Sequence, residues 1–116
     1  LLNRVDHIVL IETNQDGLPV GCVEETSGEG QSCSQFADNV DANERFNGVL
    51  HAVADRFPGR VSVISISDLV CPNGTCLPIR DGMLIRYDGQ HYTATFSRWL
   101  VPQLLPRITA ASGVTF

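Results

Sequence analysis

The chain contains 116 residues, 43% of them hydrophobic, which is enough material for one small domain with a buried core. Its formal net charge is -5 and its eight basic residues are scattered arginines, so the sequence offers no basic surface for binding nucleic acid. No apolar run approaches the roughly 18 residues of a membrane span, and the N-terminus lacks the charged region and cleavage site of a signal peptide.

The first predicted element is a strand over residues 7–12. Apolar and β-branched residues form a short continuous run there, which is typical of a buried strand in a parallel sheet. Residues 13–40 contain four glycines and two cysteines, so we predict a long loop held by a disulfide. Loops of this length are usually functional or cross-linked.

A helix is predicted over residues 42–57, because Asp41 and Glu44 have the spacing of a capping box and apolar residues follow at helical intervals. His51 lies off the apolar stripe and is expected to face solvent. A second strand over residues 61–66 is rich in β-branched residues. The order strand, helix, strand predicts a crossover between parallel strands.

Residues 68–81 are predicted to form a loop, since Pro72-Asn73-Gly74 is strong turn chemistry and a cysteine lies on each side of it. A short edge strand is expected within residues 83–87. The last predicted element is a helix over residues 93–109, in which apolar residues recur at helical spacing and Thr93 supplies the N-cap.

Two prolines interrupt the pattern of this last helix. Pro102 and Pro106 each lack the N–H group that a helix interior uses, so we expect a kink or break near residues 98–101. Residues 110–116 are expected to fray.

The four cysteines fall into two local pairs, Cys22 with Cys33 and Cys71 with Cys76, which suggests disulfides. Sequence leaves three pairings open, although short loops favour the local ones. Zinc binding is the alternative, but neither spacing is the usual knuckle and no histidine lies near either pair. Disulfides would indicate an oxidising compartment.

The sequence Asp88-Gly89-Gln90-His91 places a carboxylate and an imidazole three residues apart, at the junction of two predicted elements. A serine hydrolase needs an imidazole that takes the nucleophile's proton, and a carboxylate that orients the imidazole. Asp-Gly between β-prone residues is also the strongest short hairpin signal, so a hairpin turn is the competing interpretation. The helical spacing after Thr93 favours the catalytic pair.

Other residues have less specific interpretations. His7 opens a strand and is expected to be structural. Glu12 and Asn14 follow that strand at the sheet edge, where substrate contact is possible but hydrogen bonding within the long loop is favoured. Phe96 and Trp99 are expected to fill the core.

Three stretches of the second half resemble one known family. They are the strand ending at Asp68 with the Cys-Pro-Asn-Gly-Thr-Cys stretch after it, the Asp-x-x-His block Tyr87-Asp88-Gly89-Gln90-His91-Tyr92-Thr93, and the closing Leu- and Pro-rich helix. Their order resembles the C-terminal part of an SGNH-type (GDSL-like) hydrolase domain, of the kind attached to membrane acyltransferases that O-acylate cell-envelope glycans. The resemblance implies an α/β fold with a three-layer, flavodoxin-like parallel sheet, of which this chain would be the C-terminal half.

By the same resemblance, His91 would be the general base and Asp88 its orienting carboxylate, acting with a serine nucleophile and without metal or cofactor. The family's Gly-Asp-Ser block, and the Gly and Asn blocks of its oxyanion hole, do not occur in this sequence. Ser27 and Ser112 each precede a glycine, but neither follows a predicted strand or opens a helix, so we interpret both as loop residues. We therefore expect the chain alone to be inactive.

The resemblance also implies an extracytoplasmic location, at the cell surface or in the periplasm. The chain would be fused to an N-terminal half-domain and a membrane acyltransferase domain that tethers it, with an acylated or acceptor glycan as substrate. Two rival interpretations stay open: a non-catalytic, disulfide-stapled extracellular module that binds through residues 13–40, and a hydrolase that uses another nucleophile among these residues.

Overall fold

The computed structural model describes residues 4–14, 40–74 and 76–114. The predicted disulfide between Cys22 and Cys33, the candidate Ser27 and most of the predicted loop at 13–40 lie outside the described residues. Within the described ranges, no helix is both long enough and apolar enough to span a bilayer.

Two parallel strands form the sheet on which the rest of the fold is built. β1 (Ile8–Ile11) pairs with β2 (Val61–Ile64) along its whole length, so the first residues of the two strands lie opposite each other, as do the last. Both strands lie inside the predicted segments 7–12 and 61–66. At the start of the sheet, His7 Nε2 donates a hydrogen bond to Ser62 Oγ at 3.0 Å, which is a structural role for this histidine.

One edge of β1 has no partner strand among the described residues. The backbone N–H groups of Ile8 and Glu12 donate to carbonyls on the β2 side, at 2.9 and 3.0 Å. In a parallel ladder, alternate N–H groups point to opposite edges, so those of Val9 and Ile11 point away from β2. As far as the described residues show, this edge of β1 is open to a further strand.

The helix between the two strands, α1 (Val40–Arg56), packs against β2 and completes the crossover. Asn47 fixes it to the end of β1. Its Oδ1 accepts hydrogen bonds from the Thr13 N–H and hydroxyl at 2.8 and 3.0 Å, and its Nδ2 donates to the Thr13 carbonyl at 3.0 Å. Three of its apolar side chains at helical spacing are nevertheless exposed, namely Phe46, Val49 and Val53, whereas Leu50 is half-buried.

The segment predicted as a loop at residues 68–81 is instead structured. α2 (Ser67–Val70) follows β2 closely, a 3-10 turn covers Pro72–Gly74, and a disulfide joins Cys71 to Cys76. The expected turn is present at Pro72–Gly74, within the loop that the disulfide closes, and a helical turn precedes it. The local cysteine pairing favoured from sequence is confirmed for this pair.

An antiparallel hairpin follows the disulfide. β3 (Ile79–Arg80) pairs with β4 (Met83–Leu84) around Asp81 and Gly82, whose φ angles are 50° and 75°. Two positive φ values define the type I′ turn that Asp-Gly favours. β3 therefore lies where a loop was predicted, and β4 occupies the start of the edge strand expected within residues 83–87.

The last helix, α3 (Ala94–Ser112), begins at Thr93, whose side chain accepts a hydrogen bond from the Phe96 N–H at 3.2 Å. The predicted break near residues 98–101 is wrong, because the helix continues through both internal prolines. Pro102 and Pro106 lie on the exposed side, where water can satisfy the carbonyls that each proline leaves without a donor.

The predicted fraying is also wrong over Ala110–Ser112, which remain helical until Gly113 adopts a left-handed conformation with φ 72°. Gly113 donates its N–H to the Thr109 carbonyl at 2.8 Å and so caps the helix. Ser112 is thus a helical residue, and its hydroxyl donates to the Ile108 carbonyl at 2.8 Å.

The main hydrophobic core lies beyond the sheet, where α2, the disulfide turn and the start of α3 meet. Phe96 is fully buried at its centre, and Trp99 packs against it with ring centroids 5.3 Å apart, as expected for core residues. The buried members of this cluster are Ile66, Val70, Cys71, Cys76, Ile85, Phe96 and Leu100. This core anchors the segment that carries Asp88 and His91.

Candidate active site

The chain reverses direction between Arg86 and Tyr92, which form a single antiparallel bridge. At the base of the reversal, Thr93 donates its N–H to the Ile85 carbonyl at 2.9 Å and its hydroxyl to the Leu84 carbonyl at 2.5 Å. Residues 88–91 therefore lie in a closed loop that is followed by α3, not by the second strand of a hairpin.

Asp88 and His91 are in direct contact within this loop. The Asp88 Oδ2 atom lies 2.6 Å from His91 Nδ1, and Oδ1 accepts hydrogen bonds from the backbone N–H groups of Gln90 and His91 at 2.9 and 2.7 Å. The turn requires a left-handed backbone at Gly89, where φ is 83°. The carboxylate is therefore fixed by the same short segment that carries the imidazole.

These hydrogen bonds favour the ionised form of the carboxyl group. The pKa of Asp88 lies well below its usual value, first because of the His91 N–H, then the His91 side chain and the Gln90 N–H. Because an ionised carboxylate can only accept hydrogen bonds, His91 Nδ1 is the donor in this contact. This fixes the imidazole tautomer in which Nε2 carries the free lone pair.

The Nε2 atom of His91 has no hydrogen-bond partner in residues 4–14, 40–74 and 76–114. The side chain of His91 is 69% exposed, compared with 38% for Asp88. The Tyr87 ring stacks on the imidazole, with centroids 6.1 Å apart and planes inclined by 19°. The arrangement is chemically suited to accepting a proton from a group that approaches from outside.

A buried arginine lies next to the loop and was not found by sequence reasoning. Arg86 is only 4% exposed, its Nη2 donates to Tyr92 Oη at 3.1 Å, and its guanidinium lies 4.8 Å from the centroid of the Tyr92 ring. Its Nε has no hydrogen-bond partner in the described residues. Arg86 lies at the root of the loop, and no sequence pattern distinguishes it from the exposed arginines.

A second imidazole–carboxylate pair joins α1 to the end of β1. His51 Nε2 donates to Glu12 Oε1 at 2.7 Å, and the His51 side chain is 56% exposed, so it faces solvent as expected while it contacts a carboxylate. Hydrogen bonds from His51, and then from Ser65, lower the pKa of Glu12. Asn14 accepts a hydrogen bond from Ser67 Oγ at 3.0 Å. Glu12 and Asn14 thus connect β1 to α1 and α2.

Asp68 lies in α2 and not at the end of a strand, as the resemblance implied, and it too has a structural role. Its two carboxylate oxygens accept hydrogen bonds from Arg107 of α3 at 2.8 and 2.6 Å, and these contacts are the main reason that the pKa of Asp68 is lowered. In the parts of the chain that the structure describes, no group of three or more His, Cys, Asp or Glu side chains is placed to hold a metal ion.

Comparison with known families gives one match. The family model described as an SGNH domain fused to AT3 domains matches residues 1–106. Neither the curated proteins nor the solved structures include a significant match. The match spans nearly the whole chain and agrees with the resemblance noted from the Cys-Pro-Asn-Gly-Thr-Cys stretch and the Asp-x-x-His block. The chain belongs to the family of SGNH domains that are fused to AT3 domains.

Proposed function

We propose that this chain supplies the base and the orienting carboxylate of a Ser-His-Asp triad, in an esterase or O-acyltransferase that acts on acyl esters of cell-envelope glycans. His91 takes the proton from a serine hydroxyl through Nε2 as the serine attacks the ester carbonyl. Asp88 holds Nδ1–H and stabilises the imidazolium that forms. The acyl-enzyme is then transferred to water or to a glycan hydroxyl.

The observation that carries the proposal is the contact of 2.6 Å between Asp88 Oδ2 and His91 Nδ1, in a loop that leaves Nε2 without a partner among the described residues. Nδ1 of His91 is held by an ionised carboxylate, and Nε2 is left available to accept a proton. General-base catalysis requires both conditions.

The nucleophile would come from an N-terminal half-domain. No Gly-Asp-Ser block occurs in these 116 residues. The open edge of β1 and the exposed apolar residues of α1 support a further strand and helix packing there, which would complete a three-layer, flavodoxin-like sheet. Ligands of such sheets bind beyond the carboxyl ends of the strands, the end at which α2 and the core lie.

The cellular setting is part of the same proposal. The family description supports fusion to a membrane acyltransferase domain, which would tether the chain. The Cys71–Cys76 disulfide supports an oxidising compartment outside the cytoplasm. Acyl transfer by a triad needs neither a metal ion nor an organic cofactor, so we propose none.

The test uses the longer protein that carries the serine block, assayed with p-nitrophenyl acetate. We expect Asp88→Asn to lower kcat about 10⁴-fold, because it removes the group that fixes the tautomer. We expect His91→Ala to lower kcat about 10⁶-fold, because the base itself is lost.

His51→Ala is the matched control. His51 also contacts a carboxylate at 2.7 Å, but that pair joins α1 to β1. We expect its kcat to stay within about twofold of the parent, as for a surface substitution. Retention of full activity by His91→Ala, with the fold intact by circular dichroism, would refute the proposed role.

A second candidate function is a non-catalytic extracellular binding module. The observation in its favour is that a cavity of about 360 Å³ bounded by described residues is lined by neither Asp88 nor His91. If this alternative holds, Asp88→Asn and His91→Ala leave ligand binding unchanged and no ester substrate is turned over by the longer protein.

A further inference from the structure

A cavity of about 360 Å³, lined mostly by residues with polar side chains, opens beyond the carboxyl ends of β1 and β2. Its walls come from four parts of the chain: the residues after β1, the first half of α1, α2 and the disulfide turn. Its volume lies at the lower end of the roughly 300–1,000 Å³ typical of small-molecule sites. The carboxyl end of a parallel sheet is also where α/β folds usually bind ligands.

Hydrogen bonds between the walls fix the shape of this cavity. Asn47 makes three hydrogen bonds to Thr13, as described above. Asn43 Nδ2 donates to the Asn14 carbonyl at 3.3 Å, and Ser67 Oγ donates to Asn14 Oδ1 at 3.0 Å. Because α1, β1 and α2 are tied together in this way, a ligand would enter a preformed site and lose little affinity to ordering.

The polar atoms that remain available in the cavity include both acceptors and donors, because each asparagine amide nitrogen carries two hydrogens. The Glu44 carboxylate, Asn43 Oδ1 and the Asn73 side-chain amide make no hydrogen bond to described residues. Asp68 adds a second carboxylate, although each of its oxygens already accepts one hydrogen bond from Arg107. None of the described residues that line the cavity is an arginine, a lysine or a histidine. Hydroxyl groups of a neutral ligand match this pattern, whereas phosphate or carboxylate ligands would be repelled.

We propose that this cavity binds one pyranose ring of a neutral glycan, with Glu44 and Asn43 accepting hydrogen bonds from sugar hydroxyls and Asn73 both donating and accepting. The inference rests on the proposed function and deepens it. It assigns sugar binding to the cavity beside α1 and α2, and it leaves the acyl chemistry with Asp88 and His91. It also predicts selectivity for uncharged sugars.

The test is saturation-transfer NMR of the 116-residue chain with the methyl glycosides of glucose, galactose, mannose and N-acetylglucosamine, beside that of glucuronic acid. We expect at least one neutral glycoside to bind in the millimolar range and the glucuronoside to bind more weakly. If circular dichroism shows that the chain does not fold alone, the same titrations are made on the longer protein.

Two variants locate the site. Glu44→Ala removes a charged acceptor and should weaken binding at least about tenfold, or about 1.4 kcal/mol. Asn73→Gly removes the amide but keeps a residue suited to the left-handed backbone at φ 57°, and should weaken binding about threefold to tenfold. Asp55→Ala, the same charge change further along α1, should leave affinity unchanged.

Absence of transfer from all four neutral glycosides at high millimolar concentration would overturn the inference. Equal binding by the parent, Glu44→Ala and Asn73→Gly would also overturn it, since the sugar would then lie elsewhere, and so would tighter binding of the glucuronoside. These outcomes are separate from failure of the triad, which shows as hydrolysis that does not depend on His91.

Discussion

Two regions of the molecule differ in how completely they bury their own apolar side chains. The C-terminal module, residues 66–100, contains seven of the eight buried hydrophobic residues found in the described ranges, together with the Cys71–Cys76 disulfide. The crossover unit, which consists of β1, α1 and β2, contributes only Val61 to that set. Its helix leaves Phe46, 51% exposed, and its neighbours at helical spacing facing solvent.

The difference separates a region that buries its own apolar side chains from a region whose apolar side chains stay largely exposed among the described residues. Asp88 and His91 lie in the C-terminal module, and their contact depends only on hydrogen bonds within four residues of sequence. Among the described residues, the crossover unit instead leaves one edge of β1 unpaired and much of the apolar face of its helix exposed. The contact between Asp88 and His91 is therefore formed locally, and we propose that the other half of the triad would pack against the crossover unit.

Two phenylalanines make the sharpest test of this contrast. Phe96→Ala empties the centre of the C-terminal module, where Phe96 is 0% exposed, and should lower the free energy of unfolding by about 3–5 kcal/mol. Phe46→Ala, the same change on α1, should cost less than about 1 kcal/mol. Urea denaturation followed by circular dichroism measures both. Equal losses would show that the two regions do not differ as described.

The disulfide should contribute the next largest effect. Replacing Cys71 and Cys76 together by alanine opens a short loop, and the loop-entropy relation gives a loss of about 2 kcal/mol. Urea denaturation of the double variant, and of the parent with a reducing agent, should give similar losses. Stability unaffected by either treatment would mean that the module does not depend on its cross-link.

The smallest predicted effect concerns the ion pair between Asp68 and Arg107, which ties α2 to α3. Because the folded pKa of Asp68 is lowered, its contribution is present above the unfolded value of about 3.9 and is lost as pH falls through the folded pKa. Arg107→Ala should therefore cost up to about 1 kcal/mol at pH 6 and less at pH 2.5, since the pair is largely exposed. Urea denaturation of the parent and of Arg107→Ala at both pH values measures this cost. A larger cost at pH 2.5 than at pH 6 would contradict the predicted sign.

Sequence patterns located the regular elements well where the signal was long. The predicted strands 7–12 and 61–66 contain β1 and β2, and the predicted helices overlap α1 and α3 through most of their length. Asp-Gly occurs three times, once outside the described residues, and its hairpin signal is realised at Asp81-Gly82, where strand residues lie on both sides. At Asp88-Gly89 only one bridge forms, because Thr93 caps a helix instead of continuing a strand.

The features that sequence did not predict depend on contacts distant in the chain. Helical periodicity predicts which side chains of α1 form an apolar stripe, but it does not predict whether another element covers that stripe. Among the described residues, most of the stripe is exposed. The pairing of His51 with Glu12 joins residues 39 positions apart, which no local pattern encodes. The proximity of Asp88 and His91, by contrast, was predictable because a turn of three residues brings them together.

The most direct test of the central claim is the esterase activity of the 116-residue chain itself. We predict that the folded chain hydrolyses p-nitrophenyl acetate no faster than free imidazole at the same concentration, and that His91→Ala leaves this background rate almost unchanged. Turnover well above that background, and abolished by His91→Ala, would contradict the claim, because it would mean that a nucleophile for His91 lies within these residues.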